Sequence, residues 1–401
     1  MRAAGLALLL AGCTSAEVMC AAVRDDLARC GLPTSGLDCA RVDYGTLSAL
    51  QARMDQGTCD PPADDDAVDP RLCALAGWAC PASPTPAVSS ASTAYPLVFV
   101  SGIDDSPLFD WNDAILAAVR AAGGEAHHVT VAPWLPTADR AADLAASLAT
   151  VRRGLGGRKV NLVCYAVAGL DCRYLVSPGG LYAHDAAARA TIVDGVASIT
   201  TIATPHRGTR VADAAIVALQ SSTVTDVLHD LFGVAAPHGV PDDATLVRAL
   251  RGLTPDALTA WNAGVPDEPA IELQSFAGVS TPLGRDRDED EAAIADACVD
   301  DEGRPAFQRQ PATMDALDPL LLVPAAFSHV ARDARGAVVT TPSDGMISVA
   351  SARWGRFRGC VPADHYDVIG QLGDRTRDPI TGFDARRFYV WLAADLAERG
   401  L

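Results

Sequence analysis

The chain has 401 residues, 49% hydrophobic and 20% charged, which is long enough for a large core and argues against disorder. Its formal net charge of −18 argues against nucleic acid and against electrostatic docking on anionic membranes, since both need a basic face. Met1 to Ser15 carries one arginine, a short apolar core and then Leu10-Ala11-Gly12-Cys13. That apolar run is too short to span a bilayer, so residues 1–12 read as an export signal.

Small residues ending in cysteine resemble a bacterial lipoprotein lipobox, which implies that Cys13 is the lipidated first residue of a mature chain anchored in the cell envelope. Thr14, rather than aspartate, favours the outer membrane by the same resemblance. The alternative is an ordinary signal with an incidental cysteine and a secreted product. Setting Cys13 aside leaves ten of the 11 cysteines, and in an exported chain disulfides are the default reading. Six of them (Cys20, Cys30, Cys39, Cys59, Cys73, Cys80) mark residues 13–80 as a small cysteine-rich module, with helical stretches around Val18 to Cys30 and Tyr44 to Met54. Zinc is disfavoured there, because the six include no Cys-x-x-Cys pair and no histidine lies among them. Residues 81–94, rich in Pro, Ser, Ala and Thr, read as a linker without a fold of its own.

From Tyr95 to the C-terminus strands and helices alternate, which predicts an α/β domain with a mostly parallel sheet flanked by helices. Strands are expected at Tyr95 to Val100, Ala126 to Val131, Val196 to Ala203 and Ile271 to Gly278, with helices at Trp111 to Ala122 and Ala138 to Gly154. Residues 209–264, helical and apolar in places, read as a cap inserted at the sheet's C-terminal edge, either a moving lid or a fixed cover. Arg285 to Glu302 is a charge run expected to be a solvated loop.

The organising stretch is Val160 to Leu175, VNLVCYAVAGLDCRYL, where an apolar strand stops at small residues and a helical pattern begins. That is the setting of a nucleophile elbow, Gly-x-Ser-x-Gly, in which strand and helix backbones nearly touch. Here the five positions read Cys164-Tyr165-Ala166-Val167-Ala168, followed by Gly169.

With Tyr95 to Gly102, Thr204-Pro205-His206-Arg207-Gly208, Leu317-Asp318-Pro319, Ser343-Asp344-Gly345 and His365-Tyr366-Asp367, this stretch resembles the bacterial secreted triacylglycerol lipases of the α/β-hydrolase fold. The resemblance implies an ester hydrolase acting on lipid or acyl esters, with Asp344 and His365 as triad acid and base. It implies an oxyanion hole from the backbone N–H groups of Ile103 and Val167, and a structural Ca²⁺ held by Asp318 and Asp367 with a carbonyl from Gln371.

The departures lie where the chemistry happens. Ala166 stands at the nucleophile position, Tyr165 where the family has histidine, Ala168 where it has the close-approach glycine, and Ser101 at the oxyanion-turn histidine. A lone alanine could be a deliberate knock-out; four changes together point to drift at a site released from catalysis. No replacement nucleophile is evident: Cys164 should point into the sheet, Tyr165 is unactivated, and Ser101 lies on the oxyanion side. Cys164 and Cys172 replace small residues of the family pattern and are expected to staple the elbow, while Cys298 and Cys360 pair by analogy with the family's own disulfide. Two functions stay open: an ester hydrolase, or an exported protein that binds a lipid or a protein partner in the old acyl pocket without turnover.

Overall fold

The computed structural model describes residues 16–32, 34, 37, 47, 50, 51, 54, 59, 88, 90–104, 106, 108–232, 242–281, 288–303, 315–332, 338–371, 381 and 383–401. The chain groups into two units, residues 1–84 with 378–382, and residues 85–377 with 383–401. In the first, the helix Ala16–Arg29 buries Val23 and Leu27, and a disulfide joins Cys30 to Cys59. Most of the expected Tyr44 to Met54 helix lies outside the described residues.

The second unit is built on a sheet of six strands, all parallel: β1 (Leu97–Val100), β2 (Ala126–Val129), β3 (Val160–Tyr165), β4 (Val196–Ile202), β5 (Glu272–Gly278) and, last in the chain, β10 (Arg356–Val361). Two short pairs lie between β5 and β10: β6 (Ser280–Thr281) with β7 (Asp315–Ala316), and β8 (Val330–Arg332) with β9 (Val338–Thr340). The spatial order of the large sheet is β10-β5-β4-β3-β1-β2, so chain direction reverses across the sheet between β1 and β3. This is the α/β-hydrolase fold that the sequence led one to expect.

Side chains alternate between the faces of a strand, and here both faces are apolar because helices cover both. Leu97 and Phe99 of β1 and Val163 and Tyr165 of β3 enter one core, shared with the helices Asp113–Ala121 and Ala385–Glu398. Val98, Val100, Leu162 and Cys164 enter the other, against the helices Thr137–Gly154 and Ala168–Val176. The helices Arg210–Ala218, Val224–Phe232, Asp243–Gly252 and Pro255–Gly264 form the cap, started by side-chain caps from Thr209, Asp242 and Thr254 at three of the four.

Two expectations are corrected. The acidic run is not simply a loop: Asp288–Ala297 is a helix, because its alanine-rich second half buries Ile294 and the chain just beyond is tied by the Cys298–Cys360 disulfide. The end of the supposed linker is packed, with Ala91 fully buried and hydrogen bonds from Ala91 N to Ala122 O and from Ala94 N to Leu401 O.

Candidate active site

The C-terminal ends of the parallel strands bring the expected site residues together, as open α/β sheets do. After β3 the backbone turns through Ala166 at φ 48°, a left-handed conformation costly for a residue with a Cβ. Neighbours enforce it: Ala166 N donates to Ile202 O at 2.9 Å, and Thr204 Oγ1 donates to Ala166 O at 2.7 Å. The close approach of helix to sheet falls on Gly169, where an added Cβ would sit 2.1 Å from Thr204 Oγ1. Ala168 is therefore tolerated, and the glycine essential to the turn is the second of the pair. The Cys164–Cys172 disulfide is formed, its Cα atoms 6.9 Å apart across the elbow.

The two residues expected as acid and base are brought together. His365 Nδ1 lies 2.8 Å from Asp344 Oδ2, and both side chains are buried. Asp344 Oδ1 accepts from the backbone N–H groups of Met346 (2.9 Å) and Ile347 (2.6 Å), so the carboxylate is fixed and acts as acceptor for Nδ1–H. Nε2 has no hydrogen-bond partner among the described residues. Gly278 at the end of β5 makes room for the loop, since a Cβ there would come within 2.9 Å of Asp344 Cβ.

His365 and Ala166 line one small cavity with Ile103 and Val167; Phe109, Val211, Phe232, Leu253 and Met346 make it almost wholly apolar. Its volume is about 30 Å³, room for a water or two and not for an acyl chain. The N–H groups of Ile103 and Val167 have no acceptor among the described residues, as an oxyanion hole requires.

What holds these donors in place was not legible. Arg140, fully buried, bonds Asp171 of the elbow helix (2.8 Å) and the carbonyls of Gly102 (2.6 Å) and Ile103 (3.1 Å), clamping the oxyanion turn to the elbow. Burial outweighs Arg140 and pushes the Asp171 carboxyl up to about 6. Tyr165 fills the family histidine's place by lying beside the His365 ring, with its hydroxyl donating to the His365 carbonyl at 2.7 Å. Ser101 does not face the cavity; its hydroxyl donates to Asp110 at 2.5 Å and lies 2.6 Å from His128 Nε2. Because Asp110 Oδ1 is also 2.7 Å from that same nitrogen, the imidazole is not set between acid and serine, and the trio is a hydrogen-bonded cluster rather than a triad.

His206 of the Thr204 to Gly208 segment is buried, bonded to Thr201 Oγ1 at 2.9 Å and stacked on Trp354. Burial and then Arg173 and Arg207 hold its pKa well below the usual imidazole value, so it stays neutral. Arg173, pushed down to about 10 by burial, sits over Trp354 at 3.9 Å and bonds Asn262, tying the elbow helix to the cap.

A carboxylate cluster lies beside the His365 loop. Asp315, Asp364 and Asp367 bring ligand oxygens within 4.8 Å of one another. Asp367 is thus one of the cluster; Asp318 adjoins it, its backbone N–H donating to Asp364 Oδ2 (2.8 Å) while its Oδ1 caps Leu320 N (2.9 Å), and Gln371, expected to offer its backbone carbonyl, has its side chain donating to Asp110 O (2.6 Å). Burial, and then the charge of Asp318, push the Asp364 carboxyl to about 7 despite three backbone donors. Three converging hard oxygens, one carboxylate ill at ease as an anion, suit a divalent cation such as Ca²⁺. Asp315 and Asp364 escaped the sequence reading; the carboxylate directly before His365 was the available signal.

The chain matches no family model. It is 29% identical over 212 residues to the triacylglycerol lipase of Burkholderia plantarii, covering 49% of this chain and 55% of that protein. It is likewise 29% identical over 191 residues to the triacylglycerol lipase of Pseudarthrobacter phenanthrenivorans, covering 44% and 55%. The chain therefore spans about half the length of the curated relatives it matches. Among solved structures it is similar to Staphylococcus hyicus lipase (16% identity, TM-score 0.48, 78% of this chain and 98% of that one). A metagenomic carboxyl esterase is similar at 16% identity and TM-score 0.48, over 89% of this chain and 91% of that one. In sequence the chain is thus similar to triacylglycerol lipases over about half of its length, and it carries alanine at the central position of the elbow.

Proposed function

We propose that this protein is a lipase-like member of the ester hydrolases that has lost turnover and uses its former acyl site to bind an acyl ligand. The observation that carries this reading is the pairing of an intact His365–Asp344 couple with Ala166 at the strained elbow position. In a serine hydrolase the hydroxyl proton passes to the imidazole Nε2 as the oxygen attacks the ester carbonyl, and alanine has neither atom to give. Loss of the serine costs on the order of 10⁶ in kcat. The retained couple, the free N–H groups of Ile103 and Val167 and the apolar lining still suit an acyl headgroup.

The wider reading is an exported protein, lipid-anchored at Cys13 or secreted, with Ca²⁺ held at Asp315, Asp364 and Asp367. Such an ion, when bound, would neutralise the cluster and stiffen the loop that carries His365. A protein partner in the pocket remains the second occupant, though the almost wholly apolar lining favours lipid.

The test is hydrolysis of p-nitrophenyl butyrate and laurate by native protein, Ala166→Ser and His365→Ala. Silence from the native protein with a gain of at least about 10²-fold in Ala166→Ser is expected. Native turnover abolished in His365→Ala would overturn the reading, because a nucleophile other than residue 166 would then be at work.

A further inference from the structure

Three elements bring polar side chains together at the β1–β2 edge of the large sheet. Ser101 follows β1, His128 lies in β2 opposite Phe99, and Asp110 ends the loop that leads into the helix Asp113–Ala121. Side chains alternate along a strand and Ser101 is two residues past Phe99, so Ser101 and His128 leave the sheet on the face that this helix covers. Ser101 Oγ lies 2.5 Å from Asp110 Oδ1 and 2.6 Å from His128 Nε2, and the last two atoms are 2.7 Å apart. Ser101 is buried, whereas the side chains of His128 and Asp110 are 29% and 27% exposed, so solvent reaches two of the three groups.

This triangle holds more lone pairs than hydrogens. Ser101 brings one hydrogen and the imidazole at most one on Nε2, so two hydrogens serve three short edges. Asp110 Oδ1 is crowded as well: it also accepts from Trp111 N–H at 2.8 Å, which makes three neighbours on an oxygen with two lone pairs, while Oδ2 has no partner among the described residues. An imidazole nitrogen, a carboxylate oxygen and a hydroxyl gathered with too few hydrogens have the composition of a cation site.

We infer that Ser101 Oγ, Asp110 Oδ1 and His128 Nε2 form one face of a site for a divalent transition-metal ion of the Ni²⁺ or Cu²⁺ kind. It shares no residue with the carboxylate cluster beside the His365 loop and does not rest on the binding role proposed above. The imidazole selects against hard ions such as Ca²⁺ and Mg²⁺. Ligands set at right angles about 2.1 Å from an ion lie about 3 Å apart and tetrahedral ones about 3.4 Å, so the trio spreads least for an ion with right-angled ligands. In the loaded site Nε2 and Oδ1 give lone pairs to the ion, the imidazole hydrogen sits on Nδ1, Trp111 N–H keeps its bond to Oδ1, and water completes the outer positions. The ion would pin the segment from Ser101 to Asp110, which supplies Ile103 and Phe109 to the cavity wall and receives the Gln371 side chain on Asp110 O.

The experiment is calorimetric titration of the full-length protein with NiCl₂, excess calcium being present to occupy the carboxylate cluster, beside Asp110→Asn, His128→Ala, Ser101→Ala and His229→Ala. Native protein is expected to take up one ion per chain at this site. His128→Ala and Asp110→Asn should each weaken it at least about 10-fold, since even a group hydrogen-bonded to a ligand is worth that much. Ser101→Ala should cost less, a neutral hydroxyl being the weakest of the three ligands, and His229→Ala, on the exposed side of the cap, nothing. Cu²⁺-loaded native protein gives a reading that does not depend on how the variants fold: its electron paramagnetic resonance spectrum should show coupling to one imidazole nitrogen. Undiminished Ni²⁺ affinity in both His128→Ala and Asp110→Asn, no Ni²⁺ uptake by the native protein, or a copper spectrum without nitrogen coupling would each overturn the site.

Discussion

Tyr165 lies against the His365 imidazole, ring centroids 5.0 Å apart, and its hydroxyl donates a hydrogen bond to the His365 carbonyl at 2.7 Å. Residues 200 positions apart are thereby joined under the site, and the base is held from below by the residue just before the elbow centre. Tyr165→Phe should keep the ring contact and strand the carbonyl, costing about 1–3 kcal/mol. A urea titration beside the native protein measures it; an unchanged midpoint would mean that water replaces the hydroxyl.

The two disulfides of the second unit close loops of very different length, 8 residues for Cys164–Cys172 and 62 for Cys298–Cys360. By loop-closure entropy, their removal costs about 2.5 and about 4 kcal/mol respectively. Paired Cys→Ser variants should rank in that order in chemical denaturation. The reverse order would mean that packing around the elbow, rather than chain entropy, dominates.

Asp171 supplies a pH signature. Its folded pKa is raised to about 6 by burial, and its Oδ1 finds no donor, while the unfolded value is that of an ordinary aspartate. The folded state therefore holds more protons across the interval from about pH 4 to 6, and stability should fall as pH rises through it, by on the order of 3 kcal/mol. Urea midpoints taken every half unit should show this descent in native protein and lack it in Asp171→Asn, whose overall stability is lower because Arg140 keeps a weaker partner.

Calcium in excess over its dissociation constant should raise the melting temperature relative to chelator, since a ligand at 100 times its Kd adds about 2.7 kcal/mol. Asp315→Asn and Asp367→Asn should each erase most of that difference. Equal melting with calcium and with chelator in the native protein would leave the three carboxylates as a loop-tying cluster only.

The strands were legible because both faces of a buried parallel sheet are apolar, and the elbow because small residues interrupt that pattern at Ala166 to Gly169. Asp344 and His365 were legible only through resemblance; spacing alone says nothing of a contact across 21 residues. Arg140 and Asp171 were not legible at all, since a charged residue in a surface-like pattern gives no sign that tertiary packing has closed over it. The helix Asp288–Ala297 was hidden by its charge, which outweighed the single buried Ile294.

Ala166 keeps a backbone shape that an ordinary alanine would relax out of, and the strands around it, not the side chain, maintain that shape. Mutation acts on such a position with little resistance. Alanine and serine codons differ by a single base, and the left-handed turn and the His365–Asp344 pair are already in place beside residue 166. The chain is thus a short evolutionary step from a nucleophile, and a population of it under selection for ester growth substrates has residue 166 as its first place to change.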